Sequence, residues 1–266
     1  MEVTASPFAT LQVAVDGALG HLTLDRPARL NALSREVLAE LAAAARWFDD
    51  HDDVTVVVVA GAGPTFCAGF DLNDFGRVES GGKDGGVLGA EMADAIEAMR
   101  AVTVAAIQGH CVGGGVVLAS ACDLRVAGTG TTFSIPEVDL GIPLAWGGIP
   151  RLVRELGPAV TKDLVLTCRA FSGAEALTLR FVNRVVADDE IGAEAERLAT
   201  GLAAKSPLTL SVTKRQVHAA VEEMASTAQS FRDADMLNAA LRDPASQAVG
   251  AAYLERRRAR PSNTLR

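Results

Sequence analysis

A chain of 266 residues, 49% apolar and 22% charged, is long enough for one large hydrophobic core, and 25 glycines and 10 prolines are too few for a fibrous or disordered chain. A formal charge of −8 argues against a nucleic-acid binder, although "ERRRAR" near the C-terminus is locally basic. The four cysteines lack the close paired spacing of zinc or redox motifs, and no apolar run reaches membrane-spanning length. The N-terminus is neither basic nor continuously apolar, so free buried thiols and a cytoplasmic location are the expectation.

"LQVAVDGALGHLTLD" alternates on both sides of Asp16-Gly17 and predicts a hairpin. A helix follows, with Ser34 as N-cap and Val37, Leu38, Leu41 and Ala45 on one face. "DVTVVVVAG" is a continuous apolar run, as expected for a parallel strand covered on both faces. The glycine-rich segment Gly76 to Gly89 is expected to be a loop, either surface or lid, because it costs backbone entropy and offers few anchors. "EMADAIEAM" predicts a helix, "TVAAIQG" a strand, "VVLASAC" a short helix, and "DLRVAG" and "TTFSI" strands. A helix beginning near Trp146 is expected to stop at Gly157-Pro158. Beyond Asp188 only helical patterns remain, so the composition shifts near residue 200 from mixed α/β to all helix.

Two segments share one grammar. "GAGPTFCAGFDL" and "QGHCVGGGVVLAS" each carry small residues and glycines at the end of an apolar strand, where a ligand can approach the backbone and N–H groups point outward. The second also opens a helix, whose first N–H groups are free. Plain turns would read the same way, but two such turns in one chain can converge on one oxygen. Glu137, in "SIPEVDLG", follows Pro136 in an apolar stretch, where a carboxylate tends to a raised pKa suited to carrying protons near neutrality. A surface glutamate beside a turn is the plain alternative, and Asp139 is a competing carboxylate. His110 adjoins the glycine turn, but His21, His51 and His218 are scattered, so no metal cluster is expected.

The ordered set "RPARLNAL", "FCAGFDL", "GHCVGGGVVLASACDLRVAG", "FSIPEVDLGI" and "AAYLERRRA" resembles the enoyl-CoA hydratase/isomerase (crotonase) family over essentially the whole chain. The resemblance implies an α/β fold: a crotonase-like spiral of repeated ββα units over residues 1–200, then a helical oligomerisation and CoA-covering region over 201–266. It implies an acyl-CoA thioester substrate, no metal, no cofactor beyond the coenzyme A carried on the substrate, and trimers or paired trimers. The oxyanion hole of the family matches the N–H groups of Ala68 and Gly114. The CoA grip matches Ala28, Ala68, Gly69, Phe70, Asp71, Tyr253 and Arg256. Hydratases of the family use two glutamates, which match Val117 and Glu137. Valine can neither activate water nor donate a proton, so the arrangement resembles Δ3-Δ2 enoyl-CoA isomerases, which work with the second glutamate alone. Dienoyl-CoA isomerases place aspartates where Val117 and Ala145 stand here. The expectation is a double-bond shift by an oxyanion hole plus Glu137, with Val117 and Trp146 lining a dry acyl pocket. Hydration, another reaction of the family, and acyl-CoA binding without turnover stay open.

Overall fold

The computed structural model describes residues 7–74 and 83–259, apart from the side chains of Gln229 and Arg258. Strands β1 (Leu11–Asp16) and β2 (Leu19–Leu24) form the expected hairpin, and the positive φ of Gly17 makes the tight turn. Helix α1 (Arg35–Asp49) starts where Ser34 accepts from the Val37 N–H, and it buries Val37, Leu38, Leu41 and Ala45. Strand β3 (Val56–Gly61) runs parallel to β2, with α2 (Gly85–Ala98) and then β4 (Val102–Ile107) after it. Next come β5 (His110–Val112), α3 (Gly114–Ala121), β6 (Leu124–Gly128), β7 (Thr132–Ser134) and α4 (Gly148–Thr167). The remaining elements are β8 (Phe171–Ser172), α5 (Gly173–Thr178), β9 (Arg184–Val186), α6 (Ile191–Ala203), α7 (Pro207–Met224), α8 (Asp233–Arg242) and α9 (Pro244–Ala259).

The large sheet has the order β1-β2-β3-β4-β6-β9 and is parallel except for the hairpin. Its middle strand, β3, carries the all-valine run. One face packs on α1–α3, and α6 covers the other through Ile191, Ala195 and Ala199, so both faces of β3 are dry. A second sheet, β5-β7-β8, lies at the ends of these strands. The chain leaves β4 for β5 and α3, then leaves β6 for β7 and α4, so each turn of the spiral passes through both sheets. The segment after β3 does the same: Cys67 pairs with Cys111, and Cys111 with Phe133, all in parallel. This is the spiral of ββα units that the resemblance implies.

Two local expectations are revised. Within the segment read as a loop, residues 76–82 lie outside the described residues, but Gly85 to Gly89 form the first turns of α2, capped by Asp84, which accepts from the Val87 N–H at 2.9 Å. Glycine is required there by clearance. A Cβ on Gly85 would meet the Phe70 ring at 2.8 Å, and one on Gly89 would enter the Trp146 indole. The stop at Gly157-Pro158 is a kink: Gly157 adopts φ 74°, ψ 163°, and the chain resumes as helix.

Cys67, Cys111 and Cys122 are buried free thiols and Cys168 is a half-buried one, and burial pushes the Cys67 thiol up to about 12. Among the described residues no helix is long and apolar enough to cross a membrane. The Gly89 contact yields a sharp expectation. Gly89→Ala gains helix propensity, yet it must displace the indole and should destabilise the protein by about 1–3 kcal/mol. The urea midpoint checks it; an unchanged or raised midpoint would refute the clearance argument.

Candidate functional site

The equivalent ends of three successive spiral turns meet at one place. The Cys67–Cys111–Phe133 row sets their register, and counting three residues onward from each of the first two reaches Phe70 and Gly114. Counting four from Phe133 reaches Glu137. These three residues line one cleft of about 710 Å³. A Cβ built on Gly69 would lie 3.8 Å from the Gly114 nitrogen, which measures how closely the first two turns approach.

Gly114 is the first residue of α3, and its N–H has no acceptor among the described residues, as helix geometry dictates for a first-turn amide. Its missing side chain is a requirement, because a Cβ there would collide with the Trp146 ring. The amide of Ala68 is differently placed. It donates to the Leu30 carbonyl at 3.0 Å and is already committed within the fold. Leu33 donates to the Gly69 carbonyl at 2.8 Å, and the Asp71 N–H donates to Leu33 at 3.0 Å. Those groups flank Phe70 and face Leu33, so the Phe70 N–H is directed to the opposite side.

Glu137 sits in the tight turn 136–142, where the Ile142 N–H holds its carbonyl at 2.9 Å. The residue as a whole is half-buried, with its carboxyl packed inward at the border of the cleft. Oε1 lies against the Cα of Gly113, and Oε2 is buried with no hydrogen-bond partner among the described residues. Burial raises its pKa to about 7, partly offset by a bond from its own backbone N–H. The plain reading of Glu137 as a surface residue fails. Asp139, the competitor, is exposed and lines a different cleft.

Trp146 is the aromatic wall. Its indole packs over Gly114 and Gly89 and meets the Phe70 ring edge-on, 5.9 Å between centroids. The backbone beneath it is strained: Trp146 (φ 64°) and Gly147 (φ 66°) are both left-handed. Arg151, buried in α4, holds the turn by donating to the Trp146 carbonyl at 3.0 Å and to Glu97 and Asp94 on α2. Asp233, at the start of α8, accepts from the Gly147 N–H at 2.9 Å.

Val117 does not line this wall. It is fully buried, beside Leu144 and over Gly148, and among the described residues Leu144 and Ala145 present the apolar surface instead. Asp71 is likewise turned inward. Burial alone would raise its pKa, but bonds from the Asn73 N–H, the Arg26 guanidinium and the Asn73 amide hold it below the ordinary value. It clamps "RPARLNAL" to "CAGFDL" and does not line the cleft that holds Glu137. Ala28 is exposed on the 3-10 turn Pro27–Arg29 and does not line that cleft either.

Glu137 and Phe70 also border a second cleft of about 460 Å³, which contains Gly69, Tyr253 and Arg257. Arg256 lies in a third, with Ala68 and His110. Helix α9 therefore lies over the turn that carries Glu137; a Cβ on Gly250 would meet the Leu140 carbonyl at 2.6 Å. Sequence reading missed Arg35 and the α8 residues Leu237, Asn238 and Leu241 on the first cleft. No local pattern singles them out. Among the described residues no group of three or more His, Cys, Asp or Glu is placed to hold a metal.

The enoyl-CoA hydratase/isomerase family model matches residues 15–262. The peroxisomal Delta(3,5)-Delta(2,4)-dienoyl-CoA isomerase of Arabidopsis thaliana is 33% identical, covering 96% of this chain and 98% of its own length. A crotonyl-CoA hydratase of Syntrophomonas wolfei is 31% identical over 91% of this chain and 93% of its own. The crystal structure of an enoyl-CoA hydratase/isomerase from Pseudoalteromonas atlantica superposes with a TM-score of 0.85 at 29% identity, covering 93% of this chain and 97% of that one. A matching model over nearly the whole chain, on a spiral that brings Phe70, Gly114 and Glu137 together, makes this chain an enzyme of the enoyl-CoA hydratase/isomerase family.

Proposed function

We propose that the enzyme moves a double bond in an enoyl-CoA thioester from Δ3 to Δ2, with Glu137 as its one proton carrier. The observation that carries this reading is the buried, unpartnered Glu137 carboxyl on the cleft, with apolar Val117 and Ala145 at the two positions where a further carboxylate would be expected. Glu137 takes the C2 proton; the C–H electron pair becomes the C1–C2 double bond of a dienolate, and the charge collects on the thioester oxygen. The same carboxyl returns the proton at C4, so mass is unchanged. The amides of Gly114 and Phe70 hold the oxygen; Phe70 replaces Ala68, whose N–H is engaged with Leu30. Loss of one such donor typically costs about 3 kcal/mol of transition-state stabilisation.

Glu137 and Phe70 border both the first and the second cleft, which supports a thioester at the junction, its acyl chain under Trp146 and its coenzyme A towards Tyr253 and Arg257. Arg256 and Ala68 belong to the outer part of that path. The chemistry asks for no cofactor beyond the coenzyme A of the substrate. Hydration, the activity named for the Syntrophomonas relative, would need a second acid–base group, and Val117 supplies none.

Incubation with 3-enoyl-CoA should give 2-enoyl-CoA of equal mass by chromatography and mass spectrometry, and Glu137→Gln should lower turnover by about 10²–10⁴-fold with acyl-CoA binding retained. Robust hydration of 2-enoyl-CoA by the parent would overturn the assignment.

Two pH trends of opposite sign follow from the Glu137 pKa. The base form accumulates as pH rises, so isomerase rate should climb through about pH 7. Stability should fall as pH rises from about 4.5 to about 7 and level off above. The folded pKa lies above the ordinary 4.5, so the folded chain holds an extra proton between these values and releases it as pH rises through about 7. The full effect is about 3 kcal/mol. Denaturant titrations at pH 5 and pH 8 should show this difference in the parent and its loss in Glu137→Gln.

The C-terminal helices suggest the assembly. Among the described residues α7 and α8 bury no side chain, and Leu208, Met224 and Phe231 are largely exposed. We propose that copies of the chain cover these faces in a trimer or paired trimers. Light scattering should report three or six chains; a monomer at micromolar concentration would refute it.

A further inference from the structure

The cleft onto which Glu137 opens is not uniformly apolar. Trp146, Ile142, Leu144 and Leu237 line it, but so do Arg35, Asp74 and Asn238. Arg35 is the first residue of α1. Its backbone N–H donates to Asp74 Oδ2 at 3.0 Å, while its side-chain Nε is buried without a partner. Among the described residues the guanidinium makes no hydrogen bond and no ion pair. A carboxyl can escape burial by taking up a proton; a guanidinium cannot lose its charge at any accessible pH. Arg35 as a whole is half-buried and lines the cleft, so its unpaired guanidinium can take an acceptor supplied from the cleft.

We infer that this cleft selects an acyl chain bearing a neutral oxygen function, a hydroxyl or carbonyl, which accepts from Arg35. This rests on the acyl-CoA reading above and narrows its substrate class. A fully aliphatic chain would cover the Arg35 guanidinium without offering it an acceptor. A carboxylate would find the positive charge already balanced. Asp74 and Asp84 stand on the same cleft, and Asp84 attracts Arg35 without touching it, because its oxygens are occupied by the Val87 N–H and the Asn238 amide. A neutral oxygen takes the hydrogen bond without repulsion from either aspartate, and Asp74 Oδ1 is available to accept from a hydroxyl.

The test uses saturated thioesters, so that it reads the cleft without requiring any bond to move. Calorimetry on the full chain would compare hexanoyl- with 6-hydroxyhexanoyl- and adipoyl-CoA, and octanoyl- with 8-hydroxyoctanoyl- and suberoyl-CoA. At one of these lengths the hydroxy compound should bind at least tenfold more tightly than the aliphatic one, and Arg35→Met should abolish the preference while free coenzyme A binds as in the parent. Equal or tighter binding of the aliphatic chain at both lengths overturns the inference, as does a preference that survives Arg35→Met. Tightest binding of the dicarboxylyl thioesters overturns the neutral-oxygen assignment. If Arg35→Met does not fold, the parent comparison still decides. Failure of every thioester and of free coenzyme A to bind the parent would refute the acyl-CoA reading itself, a result distinct from a lost preference.

Discussion

The site depends on one row of backbone pairing. Cys67, Cys111 and Phe133 stand side by side in parallel, with Phe171 antiparallel to the last, and the row fixes how far each spiral turn advances before it bends into the cleft. A slip of one residue would exchange inward and outward groups on that turn. Side chains reinforce the row: Phe133 stacks on Phe171 and meets Phe181 edge-on, at 5.1 and 5.6 Å between centroids. Large apolar rings at the far end thus hold in register the amides that face the cleft at the near end.

The apolar surroundings of Glu137 are bought with charges placed out of sight. Trp146 can roof Gly114 only because the left-handed turn beneath it is held by Arg151, whose own charge is met by Glu97 and Asp94. Arg154 extends this network to Glu97 and Glu222. Breaking a buried pair of this kind leaves an uncompensated charge, typically worth about 3–5 kcal/mol. The wall of the cleft is therefore rigid for an electrostatic reason as much as for a packing one.

Features with a local cause were legible in the sequence. The hairpin at Gly17, the Ser34 cap, the dry strand Val56–Gly61, the glycine turn before α3 and the buried carboxylate after Pro136 each depend on neighbours within a few residues. What was not legible depends on partners far along the chain. Choosing between Ala68 and Phe70 requires the pairing register and the Leu30 carbonyl. Gly85 and Gly89 read as loop residues because the rings they clear, Phe70 and Trp146, are remote in sequence. Asp71 looked like part of a ligand wall, since nothing local announces its pairing with Arg26.

The position of Val117 bears on how such a scaffold changes its reaction. The donors that Gly114 and Phe70 bring to the cleft under the proposed mechanism are backbone amides, which substitution of a side chain does not delete. Position 117 is not freely available for a change of chemistry. With Leu144 beside it and Gly148 beneath, a carboxylate introduced there would begin inside the protein rather than facing water. A second carboxylate at position 117 would therefore require the 142–148 loop to be remodelled along with the helix, and lies more than one substitution away from the present packing.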